Sequence, residues 1–104
     1  GGHKLHPETL ESKLRALANE KTELAFLASP HYYISAQPDP KYGQVPVLIA
    51  AKKWVLAAPD WESLQPLLRQ HLASWEMPRV ILAVDALAYT SNGKIQRRQV
   101  ERNL

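Results

Sequence analysis

Leu10, Leu14 and Leu17 stand at i, i+4 and i+7 and so share one face of a helix, while Lys13 and Arg15 project from the other. Pro7 suits the first helical position and Glu8 the positive helix end, which predicts a helix from Pro7 to about Asn19. Residues 1–5 read as extended. Residues 20–26 fit a continued helix and a second short one equally. Beyond Ser29-Pro30 the period changes from helical to alternating. Residues 31–36 read as a strand with Tyr32 and Ile34 on one face and Tyr33 and Ser35 on the other. Residues 45–51 read as a second strand, apolar on both faces, with Pro46 at an edge or a bulge because it cannot donate to a ladder. Pro38-Asp39-Pro40-Lys41-Tyr42-Gly43 between them is a turn: two prolines fix φ and Gly43 supplies freedom.

Lys52-Lys53 reads as a turn and residues 54–56 as a short returning strand. Asp60 or Ser63 then caps a helix, and a Ser63 cap would put Pro66 in the first turn. Leu64, Leu67, Leu68, His71, Leu72 and Trp75 form a broad apolar stripe that ends at Pro78. Residues 79–84 read as a third strand, and a short helix follows the 90–98 loop. Two consecutive strands joined by a short turn are antiparallel. The pattern therefore predicts an α+β fold: a small two-layer sandwich, with an about three-stranded, mainly antiparallel sheet, flanking helices and a short N-terminal extended segment.

The chain has 104 residues, enough for one domain over residues 1–104 with a modest core. At 45% hydrophobic and 22% charged it has the balance of a globular fold. No apolar run approaches the roughly 20 residues of a membrane span. There is no cysteine, so disulfides and thiolate metal sites are excluded, and a cytoplasmic setting is the default expectation. The net charge of +3 permits an anionic partner without demanding nucleic acid. Much of the excess lies late, where Lys94, Arg97, Arg98 and Arg102 face only Glu101. That local field suits a small phosphate ligand better than a long polyanion. The start on Gly1-Gly2 reads as a cut inside a longer protein.

The chemistry concentrates in Thr90-Ser91-Asn92-Gly93-Lys94-Ile95-Gln96-Arg97-Arg98. Asn92-Gly93 can take positive φ, so the backbone can reverse tightly there and hold Lys94 at the edge of a sharp turn. Ile95 can anchor the turn to a core. A rigid loop with one lysine can place a point charge against a phosphate or carboxylate oxygen. Four histidines invite a metal reading, but no carboxylate cluster stands at ligand spacing near His3 and His6, and His71 on its apolar helix face reads as a satisfied core residue. Asp85 and Glu11 form no evident acid/base pair. The tryptophans read as core, with Trp54 and Trp61 beside loops.

Residues 84–97, Val-Asp-Ala-Leu-Ala-Tyr-Thr-Ser-Asn-Gly-Lys-Ile-Gln-Arg, resemble the closing motif of the adenylate-forming superfamily, which contains acyl-CoA synthetases, adenylation domains and luciferases. Ala88 stands where that family usually has proline, which implies a less rigid approach to the turn. Residues 1–11 resemble the segment after the family's interdomain hinge, with Thr9 in place of a glutamate. Residues 36–43 resemble its Pro-Asp-x-x-x-Gly turn, and residues 72–78 its Leu-x-x-Tyr-x-x-Pro element, with Trp75 in the aromatic place.

The resemblance implies the C-terminal lid domain of an ATP-dependent acyl-CoA ligase, with o-succinylbenzoate–CoA ligases matching about as well as fatty or aromatic acyl-CoA synthetases. It implies that Lys94 is the catalytic lysine of acyl-adenylate formation, that Thr90, Asn92 and Gly93 position its loop, and that Arg97 is either a fold salt bridge or a contact to the partner domain. It implies a glycine strand at Gly2, with His3 and Lys4 as neighbours, lining the path of coenzyme A. ATP with its Mg2+ would sit mainly on a larger N-terminal domain, and the isolated domain would be inactive. The alternative is a basic, non-enzymatic α+β module that binds RNA or another polyanion.

Overall fold

The computed structural model describes residues 4–28 and 30–102; Gly1, Gly2, His3, Ser29, Asn103 and Leu104 lie outside the described residues. Helix α1 spans Pro7–Glu20 with Pro7 in its first turn and an uncapped His6 before it, and buries Leu10, Glu11, Leu14, Leu17 and Ala18. Residues 22–28, left open between two readings above, form a 3-10 helix, Thr22–Ala28, that buries Leu24 and Leu27. Strands β1 (Tyr32–Asp39) and β2 (Gly43–Ala51) pair antiparallel, from Tyr32 opposite Ala50 to Asp39 opposite Gly43. The turn between them is held by the Asp39 carboxylate, which accepts from the Lys41 and Tyr42 amides at 3.0 and 2.8 Å, and closed by Gly43 at φ +83.

The segment after β2 departs from the expected turn and returning strand. Residues 52–57 form helix α2 (Lys52–Ala57), which sets Trp54 against Tyr32, ring centroids 5.3 Å apart, and against Phe26 at 5.5 Å. A three-residue apolar run carries no period of its own, and here aromatic packing decides it. Helix α3 runs Trp61–Arg69, from Asp60 as N-cap. Pro66 therefore lies inside the helix, not in its first turn, on an exposed position. The apolar stripe outlasts the helix: Leu72 is buried beyond it, and Trp75 sits in a short 3-10 turn, Ser74–Glu76.

Strand β3 (Ile81–Val84) completes a sheet of order β1-β2-β3 but pairs parallel to β2, so the sheet is mixed. The physical reason is the connection. The segment between β2 and β3 carries α2 and α3, and a helical crossover returns the chain to the same end of the sheet, which a hairpin turn cannot do. Pro46 lies in the central strand, at the end where β3 has not yet begun. The Leu48 amide donates to Val80 across that side and the Pro46 carbonyl accepts from Arg79, so the proline nitrogen faces a place without a ladder partner.

Both faces of the sheet are covered. Tyr32, Ile34, Leu48 and Ala50 join α1, the first 3-10 helix, α3 and Met77 in the larger core. Tyr33 and Ile49 join Leu87, from the segment after β3, and Val100, from helix α4 (Arg97–Arg102), in a smaller one, with Val47, Val84, Ala88 and Ile95 packed around it. The expected alternation of Tyr32 and Ile34 against Tyr33 thus holds. The smaller core is what seats the 88–96 hairpin against the sheet.

Candidate functional site

The closing segment folds into a miniature hairpin. Tyr89 bridges Ile95 as an antiparallel pair, and the Gln96 amide donates to the Ala88 carbonyl at 2.7 Å. Within it Thr90 satisfies most of the turn: its N–H donates to the Lys94 carbonyl (2.7 Å), its carbonyl accepts from the Gly93 amide (2.9 Å), and its hydroxyl accepts from the Lys94 amide (3.1 Å). Gly93 has φ +83 while no other residue type among those described takes positive φ, so Asn92 keeps an ordinary backbone and Gly93 alone carries the left-handed step. Asn92 is exposed.

The backbone bonds of the turn close on themselves and leave the Lys94 side chain outside them. Lys94 is exposed and has no side-chain partner among the described residues. Ile95 packs on the smaller core, as an anchor should. Lys94 borders a concavity of about 460 Å³ between α1 and the hairpin, whose wall also carries Glu8, Ser12, Arg15 and Pro30.

Arg97 has the opposite fate. Its guanidinium grips Glu11 with two bonds of 2.6 Å, Nη1 to Oε2 and Nη2 to Oε1, and a further 3.2 Å bond to the Ile34 carbonyl. The Glu11 carboxylate in turn accepts the Ile34 amide at 2.8 Å. Ile34 lies on β1, whose outer edge has no neighbouring strand among the described residues, so this pair takes both backbone groups of an edge residue. Hydrogen bonding to Glu11 holds the Arg97 cation above its already high ordinary pKa. Its plane lies over the Tyr33 ring, 5.1 Å from the centroid. Arg97 is therefore a fold salt bridge.

Glu11 is the residue that periodicity missed. It is 4% exposed, and its place beside Leu10 on the apolar stripe of α1 was the available signal. Nearby, Ser35 donates to Glu101 at 2.8 Å, tying α4 to β1. Tyr33 is pushed above the ordinary tyrosine range by burial first and by Glu101 second.

The remaining sequence candidates scatter. Gly2 and His3 lie outside the described residues. Lys4 is exposed and does not line the concavity beside Lys94, while its neighbour Leu5 is buried with its amide donating to the Gln44 side chain at 3.2 Å. His71 does not meet the expectation of a satisfied core histidine: it follows the end of α3, and its buried Nε2 has no partner among the described residues. No group of described residues could hold a metal ion. No described helix is long and apolar enough to cross a membrane. Asp85 pairs with Lys52 at 2.8 Å, away from Glu11.

No family model matches the chain. Among curated proteins it is 31% identical over 101 residues to a 2-succinylbenzoate–CoA ligase of Lactococcus lactis, covering 97% of this chain and 19% of that protein. It is 34% identical to the oxalate–CoA ligase of Saccharomyces cerevisiae, covering 96% and 17%. Among solved structures, an acyl-CoA synthetase (AMP-forming)/AMP-acid ligase II-like protein from Dyadobacter fermentans superposes with a TM-score of 0.70 at 24% identity, over 99% of this chain and 27% of that one. In sequence and in fold the chain is similar to the C-terminal domain of the AMP-forming acyl-CoA ligases. Ligases of 2-succinylbenzoate recur among these relatives, and the chain spans about a fifth of their length.

Proposed function

We propose that residues 1–104 are the lid domain of an ATP-dependent acyl-CoA ligase and that Lys94 is its catalytic residue in acyl-adenylate formation. The observation that carries this reading is the isolation of the Lys94 ammonium on a turn whose backbone bonds are all made locally. In the step, a carboxylate oxygen of the acid attacks the α-phosphorus of ATP, the bond to the bridging oxygen breaks, and pyrophosphate leaves. Negative charge accumulates on the non-bridging oxygens, and a fixed cation beside them lowers the barrier without reorganisation. ATP with its Mg2+, and the acid, would be held by a larger domain of the same protein, against which the exposed hairpin closes. In the second step the thiol of coenzyme A displaces AMP from the acyl-adenylate, with Gly2, His3 and Lys4 beside the thiol's path. The setting we assign is cytoplasmic, and the acid includes 2-succinylbenzoate among its candidates.

The polyanion-binding alternative gains no support from the site. Arg97 is turned into the fold, and Lys13 and Lys52 are paired with Glu76 and Asp85. The test is Lys94→Ala in the full-length ligase. Pyrophosphate release should fall roughly 100- to 1,000-fold, while thioester formation from supplied acyl-adenylate should be kept. The domain by itself should release no pyrophosphate, and adding the larger domain should restore it. Unchanged release in the variant would remove Lys94 from the mechanism.

A further inference from the structure

The hairpin that carries Lys94 is mounted on two legs, and only one of them is the Arg97 leg. On the other, the Tyr89 hydroxyl lies 3.3 Å from the Pro30 carbonyl and 3.2 Å from His31 Nδ1. These partners precede β1, almost 60 residues earlier in sequence, so the bonds fasten the hairpin to the segment that leads into the strand Arg97 grips. A phenol has one proton. When Tyr89 donates to Pro30, the bond to His31 needs Nδ1 to carry a hydrogen and donate.

Tyr89 follows Ala88, the position where the resembling motif usually has proline. Ala88 contributes its carbonyl to the hairpin, and no bond from its own amide is made among the described residues. Beside it lies a concavity of about 540 Å³, bordered also by Val84, Asp85 and Val100. The stiffness that proline would give by fixing φ is absent here, and a side-chain tether stands one residue on.

We propose that Tyr89 is a positioning residue for Lys94: its hydroxyl, bonded to Pro30 and His31, replaces the missing proline in holding the leg of the hairpin. The proposal rests on the catalytic reading of Lys94 given above. Loss of the tether would let the lysine wander over distances of order an ångström, which catalysis feels far more than stability does.

The test uses the full-length ligase with Tyr89→Phe, Ala88→Pro, the two together, and Lys94→Ala as a reference. Tyr89→Phe keeps the ring and removes only the hydroxyl. It should lower kcat for pyrophosphate release about tenfold with KM for ATP unchanged, speed amide exchange at residues 89–96, and leave the unfolding midpoint in place. Ala88→Pro in the Tyr89→Phe background should restore most of that loss. If Lys94→Ala slows release while Tyr89→Phe does not, the positioning role is wrong and the catalytic one stands. Failure of Ala88→Pro to rescue likewise overturns it, since the defect then is not hairpin freedom. If Lys94→Ala itself has no effect, the catalytic reading fails, whatever exchange at residues 89–96 reports about the tether.

Discussion

Two cations three residues apart, Lys94 and Arg97, show how a short basic run divides its labour. Lys94 faces outward with nothing to hold it, and Arg97 is spent on Glu11 and Ile34. Their alanine variants should therefore fail in different ways. Arg97→Ala leaves the buried Glu11 carboxylate only the Ile34 amide and Arg15 at 3.9 Å, and removes the donor to the Ile34 carbonyl. Breaking one partner of such a pair costs roughly 3 kcal/mol, at the low end because Arg97 remains a third exposed. Urea unfolding should show that loss, whereas Lys94→Ala should leave the unfolding curve in place. An equal effect of both on stability would mean that Lys94 is part of the fold. The turn residues around Lys94 were legible because Thr, Gly and Lys act on near neighbours. Glu11 was not, because its hydrogen-bond partners stand 23 and 86 residues away and periodicity sees only one helix at a time.

Among the elements, the turn between β1 and β2 and the segment after β2 mark the limits of local reading. Asp39 and Gly43 build their turn from chemistry contained in six residues, and the expectation held. Gly43 has φ +83 and open space where a Cβ would go, so Gly43→Ala suffers only the backbone penalty. It should cost about 1 kcal/mol in chemical denaturation, with Gly43→Asn milder. A loss well above that would point to a contact the open space does not show. Helix α2 was misread as a strand because its six residues contain only one decisive side chain, Trp54, and the reason for its direction is Tyr32. Helix α3 ended early for a similar reason: the apolar stripe continued, but the backbone beyond Gln70 turned to seat Leu72 and Trp75 separately.

At the scale of the molecule, the mixed sheet follows from a count of what joins its strands, and the two-sided burial of β1 follows from the alternation of its aromatic residues. Tyr32 and Tyr33 enter opposite cores, and burial raises both phenols, Tyr32 to about 12. Tyr42 is different: hydrogen bonding to Lys41 lowers it. Because Tyr32 stays neutral in the fold up to a higher pH than it does unfolded, its stabilising share is intact below about pH 10 and disappears as pH climbs towards 12. In an alkaline titration followed at the tyrosinate absorbance, Tyr42 should ionise first and Tyr89 later. The buried pair should ionise only together with the loss of circular dichroism. Simultaneous ionisation of all four tyrosines in an intact fold would contradict the two-core arrangement. The clasp on Ile34 also has a consequence in time. As a ribosome makes this chain, β1 emerges with Glu11 alone available to its margin, and the arginine that completes the clasp is added 63 residues later. For that interval the nascent sheet is open to any other strand that passes, so the hazard of mispairing falls on synthesis rather than on the finished molecule.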